Sequence, residues 1–231
     1  MIRFFINQDI LKMVALVLMT IDHVGMFFAP APWAVACRLI GRASYPLFAY
    51  LLMMNLAKYQ VFGKYLIRLG FFGFISFLIG IPIQSIFNVQ TALPLNILIS
   101  FWVAVATLFV FQKIEKLQMP IYYRYLLFLP VLALGGATSV LTAYEFPGFC
   151  FLIALYFFFL KGSIDWMALI LFFSYLINLS FLGPIVSLLV TVFLLLFVQV
   201  ESQPRLLKHW WIFYVYYPAH IVVLSLIAYF L

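Results

Sequence analysis

Leu11-Lys12-Met13-Val14-Ala15-Leu16-Val17-Leu18-Met19-Thr20-Ile21-Asp22-His23-Val24-Gly25-Met26-Phe27-Phe28 is the stretch that decides the class of fold. It is apolar for about the 20 residues that a membrane-crossing helix requires, yet it holds an acidic residue and a histidine side by side near its far end. Similar apolar runs follow it along the whole chain. Cutting them at polar, Pro and Gly punctuation predicts nine spans, at roughly 10–29, 33–57, 65–87, 93–112, 122–142, 146–160, 165–180, 183–200 and 209–230. The sixth and seventh are short and fit tilted, broken or partly re-entrant segments, so the expected total is eight to ten. The fold class expected is all-α, a polytopic transmembrane bundle forming a single domain over residues 1–231.

Composition agrees with that reading. Of 231 residues, 68% are hydrophobic, 20% aromatic and only 8% charged. A soluble globule would have to present much of that apolar content to water. Soluble enzymes, disulfide-rich secreted modules, disordered proteins and nucleic-acid binders are set aside, and the expected partner is membrane lipid. The formal net charge of +7 does not restore a nucleic-acid reading, because basic loops beside membrane helices are the usual cytoplasmic bias. Cys37 and Cys150 stand in apolar runs and read as small hydrophobes without a disulfide. The segment before the first run is too polar for the core of a cleaved signal, so that run reads as a retained span.

Loop charges give an orientation. Alternate connections carry Lys58 and Lys64, then Lys113, Lys116 and Arg124, then Lys161, then Arg205 and Lys208, together with Arg3 and Lys12 at the start. The connections between them, Ala29–Pro32, Ser85–Leu93, Thr142–Phe146 and Asn178–Pro184, have no Lys or Arg. This asymmetry predicts a cytoplasmic N-terminus.

Ionisable residues inside spans cost about 2.5–3.5 kcal/mol each on insertion scales and mark functional positions. Here they are Asp22 and His23 in the first span, Arg38 and Arg42 in the second, and His220 in the last, with Glu145 at an external mouth. At ~1.5 Å of rise per residue, these groups fall in one layer in the outer half to the middle of the membrane. The first two spans are joined so tightly that they must be antiparallel neighbours, which makes an Asp22 pair with Arg38 or Arg42 sterically natural. Arg38 and Arg42 share a helix face, whereas Asp22 and His23 are about 100° apart and point to different places. Asp22 thus reads as counter-ion to the arginines, with His23 facing a cavity; a purely structural ion pair is the competing reading. Pro46, Pro82, Pro130 and Pro218 each free a carbonyl within a span, the last of them two residues before His220. No metal-ligand cluster, G-x-S-x-G elbow or Walker loop is present, and no metal is expected. The available chemistry is a histidine base or relay, arginine anion binding, and hydrogen bonding from Tyr217, Ser76 and Asn96.

The elements Leu11-Lys12-x-x-Ala15-x-x-x-Met19-Thr20-Ile21-Asp22-His23-Val24-Gly25, Arg38-x-x-Gly41-Arg42-x-x-x-Pro46-Leu47-Phe48-Ala49-Tyr50, Tyr65-x-x-Arg68-Leu69, Leu95-Asn96-Ile97 and Phe213-Tyr214-x-x-Tyr217-Pro218-x-His220 resemble the TraX family, in order and over nearly the whole chain. The resemblance implies a polytopic acyltransferase of the bacterial cytoplasmic membrane that takes acetyl groups from acetyl-CoA. TraX acetylates the N-terminal amine of conjugative pilin, so peptide amines and glycan hydroxyls are the implied acceptor classes. Carried over by position, Asp22, His23, Arg38, Arg42, Asn96 and His220 are the family's polar positions. Around Glu145-Phe146-Pro147-Gly148 the match loosens. Within this frame His23, then His220, is the expected base, with Asp22 beside it. Asn96 and Tyr217 are the expected oxyanion donors, and Arg68, Lys64, Lys113 and Arg124 are expected at the nucleotide end of the donor. Arg42 either pairs with Asp22 or grips the acceptor. The rival reading is a proton-coupled transporter using the same Asp, His and Arg groups, although no internal two-fold repeat is evident.

Overall fold

Hydrocarbon offers no partner for backbone N–H and C=O groups, so apolar runs of this length satisfy themselves as helices. The computed structural model describes residues 4–28, 31–87, 96–177, 183–201 and 211–230. Arg3, Arg205 and Lys208, and most of the connections expected at 85–93 and 178–184, lie outside the described residues. The elements in chain order are β1 (Phe4–Asn7), α1 (Gln8–Phe27), α2 (Ala34–Gly41), α3 (Ser44–Tyr59), α4 (Phe62–Phe87), α5 (Ile97–Glu115), α6 (Ile121–Ser139), α7 (Glu145–Lys161), α8 (Ile164–Leu176), α9 (Gly183–Phe197), β2 (Val198–Glu201) and α10 (Ile212–Phe230). Five helices, α1, α4, α5, α6 and α10, are long and apolar enough to cross a membrane. The protein is a multi-pass, all-α membrane bundle.

Three expectations are revised. The span expected at 33–57 is not one helix, because Arg42 and Ala43 form a turn between α2 and α3. Pro46 is the third residue of α3, in the first turn, where a helix has no intrahelical use for an N–H. It therefore begins a helix, unlike Pro82, Pro130 and Pro218, which lie inside α4, α6 and α10. The short sixth span is the structural centre: α7 buries Gly148, Phe149 and all of Phe151–Phe157. It packs against α3, α5, α6 and α8, and α3 in turn packs against α1 and α9. Finally, the run expected to be helical to 200 ends at Phe197 and continues as β2. The seventh span is α8, whose 13 residues rise only about 20 Å against a hydrocarbon core of ~30 Å.

β2 pairs in parallel with β1, with Phe4 opposite Val198 and Asn7 opposite Glu201, and Tyr50 Oη donates to the Val198 carbonyl at 3.2 Å. The start of the chain and the end of α9 are thereby tied at the same end of the bundle. Asn7 then caps α1, its Oδ1 accepting from Asp9 N–H at 2.8 Å, while Lys12 Nζ bonds Asp9 at 2.9 Å.

The outer surface of α4 shows how the bundle meets lipid. Ile67, Phe71, Phe74 and Leu78 are exposed at helical spacing, whereas Leu69 and Ser76 are buried, a single apolar stripe turned outward. The opposite requirement governs α1 and α2. A Cβ on Gly41 would collide with the main chain of Asp22, and one on Gly25 would sit 2.6 Å from the Ala34 carbonyl oxygen. Backbone-to-backbone approach of this kind needs small residues, and it brings Asp22 directly against the helix that carries Arg38.

Candidate functional site

α1 and α10 run side by side in parallel. Thr20 meets Tyr216, and one turn later His23 meets His220. Thr20 Oγ1 donates its only proton to the Leu16 carbonyl at 2.9 Å, so in the 2.6 Å contact with Tyr216 Oη the phenol is the donor. The Tyr216 and His220 rings stack at 5.1 Å with 11° between their planes.

The hydrogen bonds set both imidazole tautomers. His23 Nδ1 lies 2.9 Å from the Met19 carbonyl oxygen, and His220 Nδ1 lies 2.8 Å from that of Tyr216. A carbonyl only accepts, so in the neutral rings each Nδ1 carries the proton. His220 Nε2 then bears a lone pair, 3.1 Å from the His23 Nδ1–H. The remaining lone pair, on His23 Nε2, belongs to a residue that lines a cavity.

That cavity, about 230 Å³, is bounded by Met19, Asp22, His23 and Met26 of α1, Arg38 of α2, Arg42 and Ser44 at the helix break, Ile97 of α5, Ala143 and Tyr144 between α6 and α7, and Tyr217 of α10. Arg38 Nη1 donates to Asp22 Oδ2 at 2.8 Å, and Arg42 Nη1 is 3.9 Å from the same oxygen. The expected ion pair is therefore made with Arg38. Arg42 is directed to the Tyr144 hydroxyl, beside a rigid wall in which Tyr144 stacks on Tyr45 at 3.8 Å. Asp22 Oδ1 is buried without a hydrogen-bond partner among the described residues. Asp22 and His23 do reach the same cavity despite their separation around α1, because the cavity wraps that helix face.

The other site candidates divide. Tyr217 is buried at the cavity wall, near the Ile97 backbone at the start of α5. Asn96 is fully buried and occupied locally: Oδ1 caps α5 by accepting from Ile99 N–H at 2.9 Å, and Nδ2 donates to the Gly73 carbonyl at 3.0 Å. Ser76 donates to the Phe72 carbonyl at 2.7 Å. Arg68 is away from the cavity, on α4, where it bonds Tyr214 of α10. Arg124 Nε donates to the Met119 carbonyl at 3.0 Å, and Lys113 lies over the Phe109 ring. Glu145 is exposed at the start of α7 with φ of 48°.

Cys37 and Cys150 are free thiols of intermediate exposure. Cys37 lines a second, apolar cavity of about 230 Å³ with Val17, Thr20, Ile21, Val24 and Tyr216. Among the described residues no three His, Cys, Asp or Glu side chains gather as metal ligands.

Sequence reasoning missed Tyr144, Ser44, Tyr216 and Thr20. Thr20 and Tyr216 stand inside or beside the quoted motifs, and their spacing to His23 and His220 is one helical turn. Tyr144 had no signal, since only the packing of α7 against α3 turns it to Arg42.

One relative, described as "Uncharacterized protein RP591" of Rickettsia prowazekii (strain Madrid E), is 30% identical over 106 residues, which are 46% of this chain and 38% of that protein. The match thus spans well under half the length of that relative. No solved structure matches the chain. The family model described as TraX protein matches residues 7–228, so the chain belongs to the TraX family.

Proposed function

We propose that this protein is an integral-membrane acyltransferase of the bacterial cytoplasmic membrane, with its N-terminus in the cytoplasm, that moves an acetyl group from acetyl-CoA to a peptide amine or glycan hydroxyl. The observation that carries this reading is the His23 and His220 pair: a His23 ring that lines a cavity and keeps its Nε2 lone pair, and a second imidazole behind it to accept from its Nδ1–H. His23 Nε2 removes the proton of the acceptor N–H or O–H as that atom attacks the thioester carbonyl. The imidazolium so formed is stabilised by the Met19 carbonyl and by His220 Nε2. As the new C–N or C–O bond forms, the C–S bond breaks, and the proton passes from His23 to the departing thiolate. Base catalysis of this kind contributes about 10²–10⁴-fold.

Tyr217 supports the same step, since it lines the same cavity and a phenol can donate to the developing oxyanion. Asn96, occupied at the start of α5, supports the cavity wall instead. The cavity of about 230 Å³ gives room for the reacting ends of donor and acceptor. The nucleotide of acetyl-CoA is assigned to the cytoplasmic cations Lys64, Arg68, Lys113 and Arg124.

The test uses the purified full chain in detergent with acetyl-CoA and either an N-terminally free peptide or a glycan, reading CoA release and acetylated product. Turnover by wild type that disappears in His23→Ala supports the proposal. Absence of turnover with either acceptor, together with substrate-driven proton flux in liposomes, replaces it with the transporter reading, for which the same histidine pair would be the relay. Unchanged acetyl-CoA KM in Lys64→Gln and Arg68→Gln would remove the nucleotide assignment.

A further inference from the structure

One carboxylate faces two guanidinium groups in the cavity. Arginine stays protonated at any physiological pH, so Asp22 leaves at least one positive charge of Arg38 and Arg42 uncompensated, in a membrane interior where unpaired charge is costly. The two arginines are not equivalent. Arg38 holds Asp22 Oδ2 at 2.8 Å, while Arg42 is 3.9 Å from it, beyond hydrogen-bond length. Arg42 and Arg38 keep 20% and 32% of their side chains accessible, and both line the cavity that His23 enters. Ser44 and Tyr144 are the neutral hydroxyls beside Arg42. The Tyr144 ring is held against Tyr45, whose hydroxyl donates to the Gly148 carbonyl at 3.0 Å, so this wall is preorganised.

We infer that Arg42, with Arg38, Tyr144 and Ser44, forms an oxyanion-group subsite that takes a carboxylate or phosphate within reach of His23. A planar guanidinium fork suits both groups. Two sources fit this chemistry: a carboxylate or phosphate carried by the acyl acceptor, or the phosphate of a lipid headgroup from the outer leaflet. The inference deepens the acyltransferase reading by giving the acceptor an acidic group, and it rests on that reading only for the word acceptor. Anion binding is measured without acetyl-CoA, so loss of one conclusion does not carry the other with it.

The experiment follows thermal unfolding of the purified full chain in detergent by tryptophan fluorescence, titrated with inorganic phosphate or acetate against chloride at equal ionic strength. Native mass spectrometry of the same preparation reads any retained phospholipid. Phosphate or acetate is expected to raise the wild-type midpoint saturably, with the half-saturating concentration at least tenfold higher in Arg42→Gln and intermediate in Arg42→Lys, which keeps the charge and loses the fork. Lys161→Gln, exposed at the end of α7 and outside the cavity, is expected to respond as wild type. A soluble-anion response without retained lipid assigns the subsite to the acceptor. Phospholipid retained by wild type and lost from Arg42→Lys and Arg42→Gln assigns it to a headgroup. No difference from chloride together with no retained phospholipid overturns the inference, as does an equal response in wild type and both Arg42 variants.

Discussion

His23 Nδ1 and His220 Nε2 stand 3.1 Å apart, and each ring is tethered through Nδ1 to the carbonyl one turn earlier in its own helix. The two imidazoles are thus ordered in sequence, the first lining the cavity and the second behind it. In steady-state acetyl transfer, His23→Ala is expected to lower kcat/KM by about 10³-fold or more, in line with the loss of a general base. His220→Ala, which removes the acceptor for the His23 Nδ1–H, is expected to cost about tenfold by the loss of one orienting hydrogen bond. The reverse order would make His220 the base.

Close approach of α1 and α2 makes Gly41 intolerant. Gly41→Ala places a methyl group against the Asp22 backbone, and Gly25→Ala places one 2.6 Å from the Ala34 carbonyl. Both variants are expected to lower the unfolding midpoint in detergent and to abolish transfer. Gly63→Ala meets nothing within 4 Å and gains helix propensity of up to about 1 kcal/mol, so it should unfold at or above the wild-type temperature.

Asp22 matters to Arg38 first. Asp22→Asn removes the charge from the 2.8 Å bond to Arg38 and is expected to destabilise the bundle by about 2 kcal/mol, the scale of a hydrogen bond to a charged group. The double variant Asp22→Asn with Arg38→Gln should recover part of that loss. A mixed-micelle unfolding cycle measures the coupling, and strict additivity would deny the pair any energetic role.

Asn96 separates stability from chemistry. Asn96→Ala removes both the cap of α5 and the bond to Gly73, which should cost about 1–2 kcal/mol. Transfer by the folded fraction is expected to stay within a few-fold of wild type. A thousandfold loss in kcat with unchanged stability would return Asn96 to the oxyanion role.

Register of the strand pair is checked by cross-linking. In a Cys37→Ser, Cys150→Ser background, Phe5→Cys with Gln199→Cys pairs directly opposed positions, about 4.8 Å apart between strands and within disulfide reach. Mild oxidation should join them, while Phe4→Cys with Val200→Cys, displaced by two positions, should remain reduced.

Much of the site was legible in the chain because ionisable groups in apolar runs are rare and expensive. Asp22, His23, Arg38, Arg42 and His220 stood out on that ground, and the very short connection after the first span required α1 and α2 to be neighbours. Asn96 stood out equally and yet caps a helix, because residue type alone does not say whether an amide faces a cavity or a helix end. Tyr144 did not stand out at all, as an aromatic residue among so many carries no cost that would mark it.

By itself the sequence determined the membrane class, the approximate positions of the helices and the inventory of reactive groups, since these follow from hydropathy and from the cost of burying charge. Tertiary structure decided which groups act together. Only the packing of α10 along α1 could set His220 behind His23, only the glycine contacts could bring Arg38 to Asp22, and only the break between α2 and α3 could leave Arg42 beside Tyr144. Such pairings depend on sub-ångström approach between helices remote in sequence, which no local pattern of residues encodes.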